Sequence, residues 1–114
     1  MWVRVVLGAL VAAIACVPGP APAADLQQAA KVGVGNNFYD PARIEIGKGS
    51  RLRFRWAGGV PHNVTLRRGP GRQFESETTT EAGVNFRHTF DRRGRYSLIC
   101  TIHPDEMRMT VRVR

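Results

Sequence analysis

The chain has 114 residues, which is the length of one domain and leaves little room for a second. It carries 17 Lys and Arg residues against nine Asp and Glu, for a formal net charge of +8 at pH 7. Such a charge is compatible with binding to nucleic acid, an anionic membrane or an acidic protein. Because the N-terminus predicts export from the cytoplasm, we expect no nucleic-acid partner.

The first 24 residues have the pattern of a secretory signal peptide. Arg4 supplies a positive charge, residues 5–15 are an unbroken run of 11 apolar and small residues, and residues 17–24 are rich in Pro and Ala. The run is shorter than the roughly 20 apolar residues that span a bilayer. We predict a signal peptide over 1–24, a flexible lead-in over 25–30 and one domain over 31–114. The mature protein is then exported, to the periplasm, the outer face of the cell membrane or the medium.

The two cysteines are not expected to form a disulfide. Cys16 lies in the predicted signal peptide, where it is either removed with that segment or acylated in a loose lipoprotein-type box. Either outcome leaves Cys100 without a partner. A lone thiol in an oxidising compartment is a liability unless something occupies it, and a metal ion is the simplest occupant.

From Lys31 onward the apolar residues recur with a period of two. In the segment 51–56, three arginines alternate with Leu52, Phe54 and Trp56, which indicates a strand with one solvated face. Gly and Pro separate this strand from other short alternating runs, among them 84–90 and 96–100. We therefore predict an all-β fold, an antiparallel sandwich or barrel.

Four positions form a candidate metal site: His62, Cys100, His103, and either Met107 or Met109. Cys100 ends a predicted strand, and the spacing Cys-x-x-His lets one tight turn present a thiolate and an imidazole to the same point. His62 follows a Gly-Gly-Val-Pro loop, and a sandwich can bring that loop to the same end. Two imidazoles, one thiolate and a distant thioether are the ligands of copper in electron-transfer sites.

Zinc binding and catalysis fit these residues less well. A structural zinc site would leave the methionine without a role, and a Cys–His nucleophile pair would lack an evident orienting group and a cleft. With three histidines in the chain, a multicopper oxidase centre is also unexpected. We predict no enzymatic activity, and we interpret His88, which alternates with Phe86 and Phe90, as packing in or beside the core.

The same residues resemble a known family, the cupredoxins or blue-copper proteins, in their plastocyanin and amicyanin branch. The likeness covers residues 31–114. Segments 38–41, 44–50 and 52–56 resemble the opening strands of small cupredoxins. Val60-Pro-His-Asn-Val64 resembles their first copper-ligand loop, and Tyr96-Ser-Leu-Ile-Cys-Thr-Ile-His-Pro104 resembles their second.

The resemblance implies a Greek-key β-sandwich with one copper ion at one end. It implies that Cys100 makes the dominant copper bond and that His103, near the surface, is the exit for the electron. It also implies that Asn63 ties the first loop to the second through Thr101. The expected neighbours of the ligands are then Pro61, Asn63, Thr101 and Pro104.

The axial ligand departs from the family pattern. In amicyanin-like loops one residue separates His-Pro from the methionine, whereas here both Asp105 and Glu106 intervene before Met107. Because the axial bond is weak and tolerates loop variation, we predict Met107, with Met109 as the alternative. We expect the two carboxylates to be solvated, since hard oxygen donors bind Cu(I) poorly.

The predicted function is a one-electron carrier of the type 1 (blue) copper class. The alternative is a cell-envelope protein that binds, buffers or delivers copper, since both functions use the same ligands. We expect a monomer whose redox partners are acidic where they dock, with peripheral association with an anionic membrane as a further possibility.

Overall fold

The computed structural model describes residues 30–114, and within them all regular structure is β-strand, as predicted. The predicted signal peptide and nearly all of the lead-in lie outside the described residues. None of the described residues belongs to a helix that could cross a membrane. The eight strands are β1 (Ala30–Gly35), β2 (Phe38–Asp40), β3 (Arg43–Ile46), β4 (Ser50–Trp56), β5 (Thr65–Arg68), β6 (Gly83–Phe90), β7 (Gly94–Ile99) and β8 (Arg108–Val113).

The strands form two four-stranded sheets. The first sheet has the order β2-β1-β4-β6 and the second has the order β3-β8-β7-β5. The chain leaves the first sheet after β2, forms β3 in the second and returns for β4. Each sheet is therefore assembled from segments that are distant in sequence.

Both sheets are mixed, which corrects the prediction of a purely antiparallel arrangement. β1 pairs in parallel with β4, and β3 pairs in parallel with β8, while the remaining pairings are antiparallel. Side chains alternate between the two faces of a strand in either kind of pairing. The sequence period could therefore predict strands but not their relative direction.

The core lies between the inner faces of the two sheets. Along β4 the burial alternates without interruption, with Leu52, Phe54 and Trp56 buried and the arginines between them exposed, as predicted. β7 and β8 supply the facing layer, whose buried side chains are Tyr96, Leu98, Met109, Val111 and Val113. Burial of such apolar area is the main term that stabilises a sandwich of this size.

His88 packs at the margin of this core, as predicted. It lies opposite Leu52 in the β4–β6 ladder and is half-buried. Its ring stacks on Phe74, with the ring centroids 3.7 Å apart and the planes at 22°. Burial lowers the pKa of His88, and Asp91 partly opposes this shift. The stacked imidazole is therefore a packing group of the first sheet.

Candidate metal centre

Two loops meet at one end of the sandwich. Residues 57–64 connect β4 to β5, and residues 100–107 connect β7 to β8. The rings of His62 and His103, one from each loop, approach edge to face with their centroids 5.4 Å apart. The structure thus brings together His62 and His103, the two histidines that were predicted to bind the metal. The third histidine, His88, stacks on Phe74.

The backbone of His62 is held from two directions. Its N–H donates to the carbonyl of Thr79 and its carbonyl accepts from the N–H of Thr79, both at 3.1 Å, in an isolated bridge. The indole N–H of Trp56, at the end of β4, also donates to the His62 carbonyl at 3.2 Å. With only 3% of its surface exposed, His62 has little freedom to change position.

Cys100 and Met107 continue the ladder between β7 and β8. The N–H of Cys100 donates to the carbonyl of Met107 at 3.2 Å, and both side chains are fully buried. Met107 lies two residues before Met109, which shares the inner face and pairs with Leu98 instead. Met107 is therefore the methionine opposite Cys100, and Met109 belongs to the next inward-facing pair of the ladder, two residues along.

Hydrogen bonds between residues three and four positions apart close the turn that carries His103. Its N–H donates to the carbonyl of Cys100 at 3.2 Å, and its own carbonyl accepts from the N–H of Met107 at 2.9 Å. Asp105 and Glu106 are exposed at the outside of this turn, as predicted, and Asp105 forms an ion pair with Arg108 at 3.3 Å. The two additional residues are thus accommodated at the surface, and Met107 still faces inward.

Asn63 joins the two loops through its side chain. Its Nδ2 donates to the hydroxyl of Thr101 at 2.7 Å and to the hydroxyl of Thr78 at 2.9 Å. Its Oδ1 accepts from the N–H of Thr101 at 3.1 Å and from the hydroxyl of Thr65 at 2.9 Å. The contact with Thr101 is the one that the resemblance implied, while the role of that contact beside a metal stays a prediction.

Tyr39 is a support of this end that the sequence did not reveal. Its hydroxyl, carried by β2, donates to the carbonyl of Asn63 at 2.6 Å. Burial raises the pKa of Tyr39 far above its ordinary value, and the nearby Cys100 adds to the shift. The phenol is therefore a permanent donor. Segment 38–41 resembled an opening strand, but no sequence signal pointed to a partner 24 residues away.

Among the side chains of residues 30–114, two buried nitrogen atoms lack hydrogen-bond partners, and both belong to the paired histidines. They are Nδ1 of His62 and Nε2 of His103. Burial lowers the pKa of His62, with a smaller contribution from the neighbouring His103, which favours the neutral imidazole. Buried polar atoms are normally satisfied, so an unpartnered lone pair in a neutral imidazole fits a metal ligand.

The arrangement stops short of a complete ligand set. Within residues 30–114 no three side chains of His, Cys, Asp or Glu already have the geometry of a metal site. What the structure supplies is a pair of adjoining imidazoles together with a buried thiol and thioether from the same end of the sandwich. This donor set fits copper better than zinc or calcium, because it includes two soft sulfur atoms and no carboxylate.

The family follows from a comparison of the whole domain. Residues 26–114 match the family described as copper binding proteins, plastocyanin/azurin family. The chain is a cupredoxin. Its cofactor is therefore copper, and the fold and family that the sequence predicted are confirmed.

Individual relatives agree with this assignment. The chain is 38% identical over 74 residues to a halocyanin from Natronomonas pharaonis, covering 62% of this chain and 45% of that protein. This cupredoxin thus spans less than half the length of that relative. A reduced amicyanin variant is 24% identical with a TM-score of 0.67, covering 75% of this chain and 82% of the amicyanin, which shows the shared fold.

The same fold also occurs as part of an enzyme. A copper-containing nitrite reductase from Thermus scotoductus is 24% identical with a TM-score of 0.65, and the match covers 74% of this chain but 22% of the reductase. At that identity the likeness concerns the fold alone. Most of the reductase has no counterpart in this cupredoxin, so the match does not extend the reductase's activity to it.

Proposed function

We propose that this cupredoxin is an exported, monomeric blue-copper protein that carries one electron at a time between redox partners. The proposed ligands are His62, Cys100, His103 and Met107. The observation that carries the proposal is the pair of adjoining imidazoles, each with a buried nitrogen that lacks a partner, on the two hydrogen-bonded loops.

The chemistry of the four side chains suits both oxidation states of copper. Thiolate and thioether sulfur stabilise Cu(I), whereas imidazole nitrogen also suits Cu(II), so a bound copper ion supplies a one-electron couple. Side-chain hydrogen bonds hold the backbone of the ligand loops: Tyr39 and Trp56 donate to backbone carbonyls, and Asn63 accepts from the N–H of Thr101. Because these bonds do not depend on the charge of the metal, the ligand loops need little rearrangement when an electron moves.

Met107 is the better candidate for the axial ligand. The backbone carbonyl of Met107 accepts a hydrogen bond from the N–H of Cys100, so Met107 lies directly opposite Cys100 in the ladder. Met109 lies beneath it in the β8 ladder, among core side chains such as Leu98. If Met109 were the axial ligand, its side chain would have to extend past the side chain of Met107.

His103 is the proposed exit for the electron. Of the two paired histidines it is the more exposed, and its neighbours Ile102 and Pro104 are exposed as well, Ile102 by 43%. A partner that docks over these residues would meet the imidazole edge directly, while His62 stays covered. Redox partner proteins of acidic surface would complement the charge of the domain.

We further propose that the chain is not an enzyme. Its three histidines comprise the paired two and His88, which is stacked on Phe74. That leaves no histidine for a second copper centre at which oxygen or nitrite could react.

The visible spectrum of the exported protein with Cu(II) tests the ligand assignment. We expect intense blue absorption, which arises from the bond to the thiolate, and its complete loss in Cys100→Ser. Cys16 supplies a control if it is retained, because Cys16→Ser should leave the colour unchanged. A colourless wild-type protein with bound Cu(II) would overturn the assignment.

Electron exchange separates a carrier from a protein that buffers or delivers copper. In a stopped-flow experiment with a soluble inorganic oxidant and reductant, a carrier should complete many cycles without losing its metal. A blue protein that releases copper to a chelator in its Cu(I) form, or that exchanges electrons only slowly, would instead be a copper-handling protein.

A further inference from the structure

Five cations share the outer face of the first sheet, and we refer to them together as the cationic face. They are Lys31 on β1, Arg51, Arg53 and Arg55 on β4, and Arg87 on β6, all of them exposed. The ladders put Lys31 beside Arg53 and Arg53 beside Arg87, so three cations occupy a single row across neighbouring strands. Neighbouring strands are roughly 4.8 Å apart, which makes this a dense positive surface.

The cationic face carries five positive charges and the carboxylate of Asp40, which lies on β2 in the same row as Gly33 and Arg55. Within residues 30–114 none of the five cations forms an ion pair. In the second sheet Arg112 lies between Glu45 and Arg95, and Glu45 also pairs with Arg114, just after β8, at 3.1 Å. Like charges directly opposite one another destabilise a sheet. An external anionic surface would relieve this repulsion.

Beside the cations, the edge of the first sheet carries an exposed aromatic ring. Gly33 and Gly35 on β1 add no side chain to the cationic face, and the ring of Phe38 from β2 covers Gly35. Phe38 is half exposed, with 50% of its surface accessible, although it is a large apolar residue. Aromatic rings beside cations are characteristic of surfaces that contact the headgroup region of a bilayer.

We propose that the cationic face binds the surface of an anionic lipid bilayer. A redox protein with an acidic surface would also complement the charge of the cationic face, but such a partner would need to reach His103, the proposed exit for the electron. The five cations lie on β1, β4 and β6, whereas the loop with His103 joins two strands of the second sheet. A domain that lies on a membrane through the first sheet keeps that loop free. The proposal does not depend on the electron-carrying function.

Co-sedimentation of the exported, copper-loaded protein with lipid vesicles tests the proposal. The vesicles contain either phosphatidylcholine alone or phosphatidylcholine with phosphatidylglycerol in a 3:1 ratio. We expect binding only to the anionic vesicles, and a loss of binding when NaCl is raised from 50 to 500 mM. The triple variant Arg53→Gln/Arg55→Gln/Arg87→Gln should bind on the order of 100-fold more weakly, since each cation near the surface contributes separately.

A matched variant separates the cationic face from net charge. Arg43→Gln/Arg95→Gln/Arg112→Gln removes the same three charges from strands of the second sheet and should weaken binding only a few-fold. All variants carry the same N-terminus, so its own affinity for lipid cancels in the comparison. Unchanged blue absorption and a cooperative thermal transition would verify that both triple variants fold.

Three outcomes would overturn the proposal. One is an equal loss of binding in the two triple variants, which would attribute binding to net charge. Another is the absence of any difference between neutral and anionic vesicles. In the third outcome the wild-type protein does not bind vesicles, and the Arg53→Gln/Arg55→Gln/Arg87→Gln variant exchanges electrons with an acidic redox protein more slowly than the wild type. That result would assign the face to a protein partner.

Discussion

Met107 and Met109 show how two identical side chains two positions apart can have different roles. Both are buried on the inner face, but Met107 lies opposite Cys100 and Met109 lies opposite Leu98. The first position is at the candidate metal centre, and the second is in the apolar core. The departure in loop length left this choice open in the sequence, because either methionine could have followed a longer turn.

Replacement of Met107 by leucine should change the copper centre but not abolish it. The axial thioether is a weak ligand, so copper stays bound, while the loss of a donor disfavours Cu(II) and raises the reduction potential. Voltammetry and the visible spectrum of Met107→Leu would measure both effects.

Met109→Leu is the matched control, since it removes the same sulfur from the next inward position. It should leave the spectrum unchanged and cost less than about 1.5 kcal/mol of unfolding free energy, as conservative core replacements do. If Met109→Leu changed the spectrum and Met107→Leu did not, Met109 would be the axial ligand.

At the level of elements, the candidate centre depends on how two loops are joined. Asn63→Ala deletes the four hydrogen bonds that its side chain makes to Thr65, Thr78 and Thr101. At about 1 kcal/mol for each bond, we expect the free energy of unfolding to fall by about 2–4 kcal/mol. Urea denaturation of the copper-free protein would measure the loss without a contribution from the metal.

Asn85→Ala is the control for this experiment. Asn85 is exposed and its side chain donates one hydrogen bond, to the carbonyl of Glu81. Its replacement should cost well under about 1 kcal/mol. Similar losses in the two variants would mean that the hydrogen bonds of the Asn63 side chain add little to stability and that the loops are joined by other contacts.

The row of cations in the first sheet makes a separate prediction about stability. Arg53 lies between Lys31 and Arg87, and like charges in such positions repel. Arg53→Thr should therefore raise the unfolding free energy by roughly 0.5 kcal/mol at low salt, and the gain should shrink as salt screens the repulsion. Thermal denaturation at two salt concentrations would measure it.

Arg112→Thr is the corresponding change in the second sheet. Arg112 lies between Glu45 and Arg95, so its removal loses an attraction along with a repulsion. We expect no gain there. If Arg53→Thr and Arg112→Thr stabilised the protein equally, the gain would come from the preference of threonine for strands and not from relief of charge repulsion.

The alternation of residues predicted the strands, and the family resemblance implied the sandwich, but the parallel pairings were not predicted, for a physical reason. In β4 the alternation of arginines with Leu52, Phe54 and Trp56 determines which face is buried, because burial acts on each side chain separately. Strand direction and pairing depend on contacts between distant segments. The parallel pairing of β1 with β4 therefore left no trace in the local pattern.

The same distinction applies to the candidate site. His62, Cys100 and His103 could be selected because their residue types and spacing suit a copper ligand set. The bonds from Tyr39 to Asn63 and from Asn63 to Thr78 could not, since a hydroxyl or amide has many possible partners and only the folded chain chooses one. Supporting residues are thus harder to predict than the groups that they support.

At the scale of the whole molecule, copper should stabilise the fold because its ligands come from both loops. The metal can be held only when those segments have met, so binding favours the native state over the unfolded chain. Copper at about 1,000-fold above its dissociation constant would add about 4 kcal/mol. The melting temperature of the copper-loaded protein should therefore exceed that of the copper-free form.

Cys100→Ser provides the comparison for this effect. It should remove most of the difference between the two forms, because the dominant proposed ligand is missing. An equal rise in the melting temperature of Cys100→Ser on addition of copper would locate the stabilising metal elsewhere on the protein.

The indole of Trp56 makes the proposed centre visible without a label. It is buried, and it donates its N–H to the backbone of His62. Trp2 lies in the predicted signal peptide, so the processed domain would contain Trp56 as its single tryptophan. Its fluorescence should be strongly quenched by Cu(II) and recover on reduction or removal of the metal, so that emission intensity follows the state of the centre in real time.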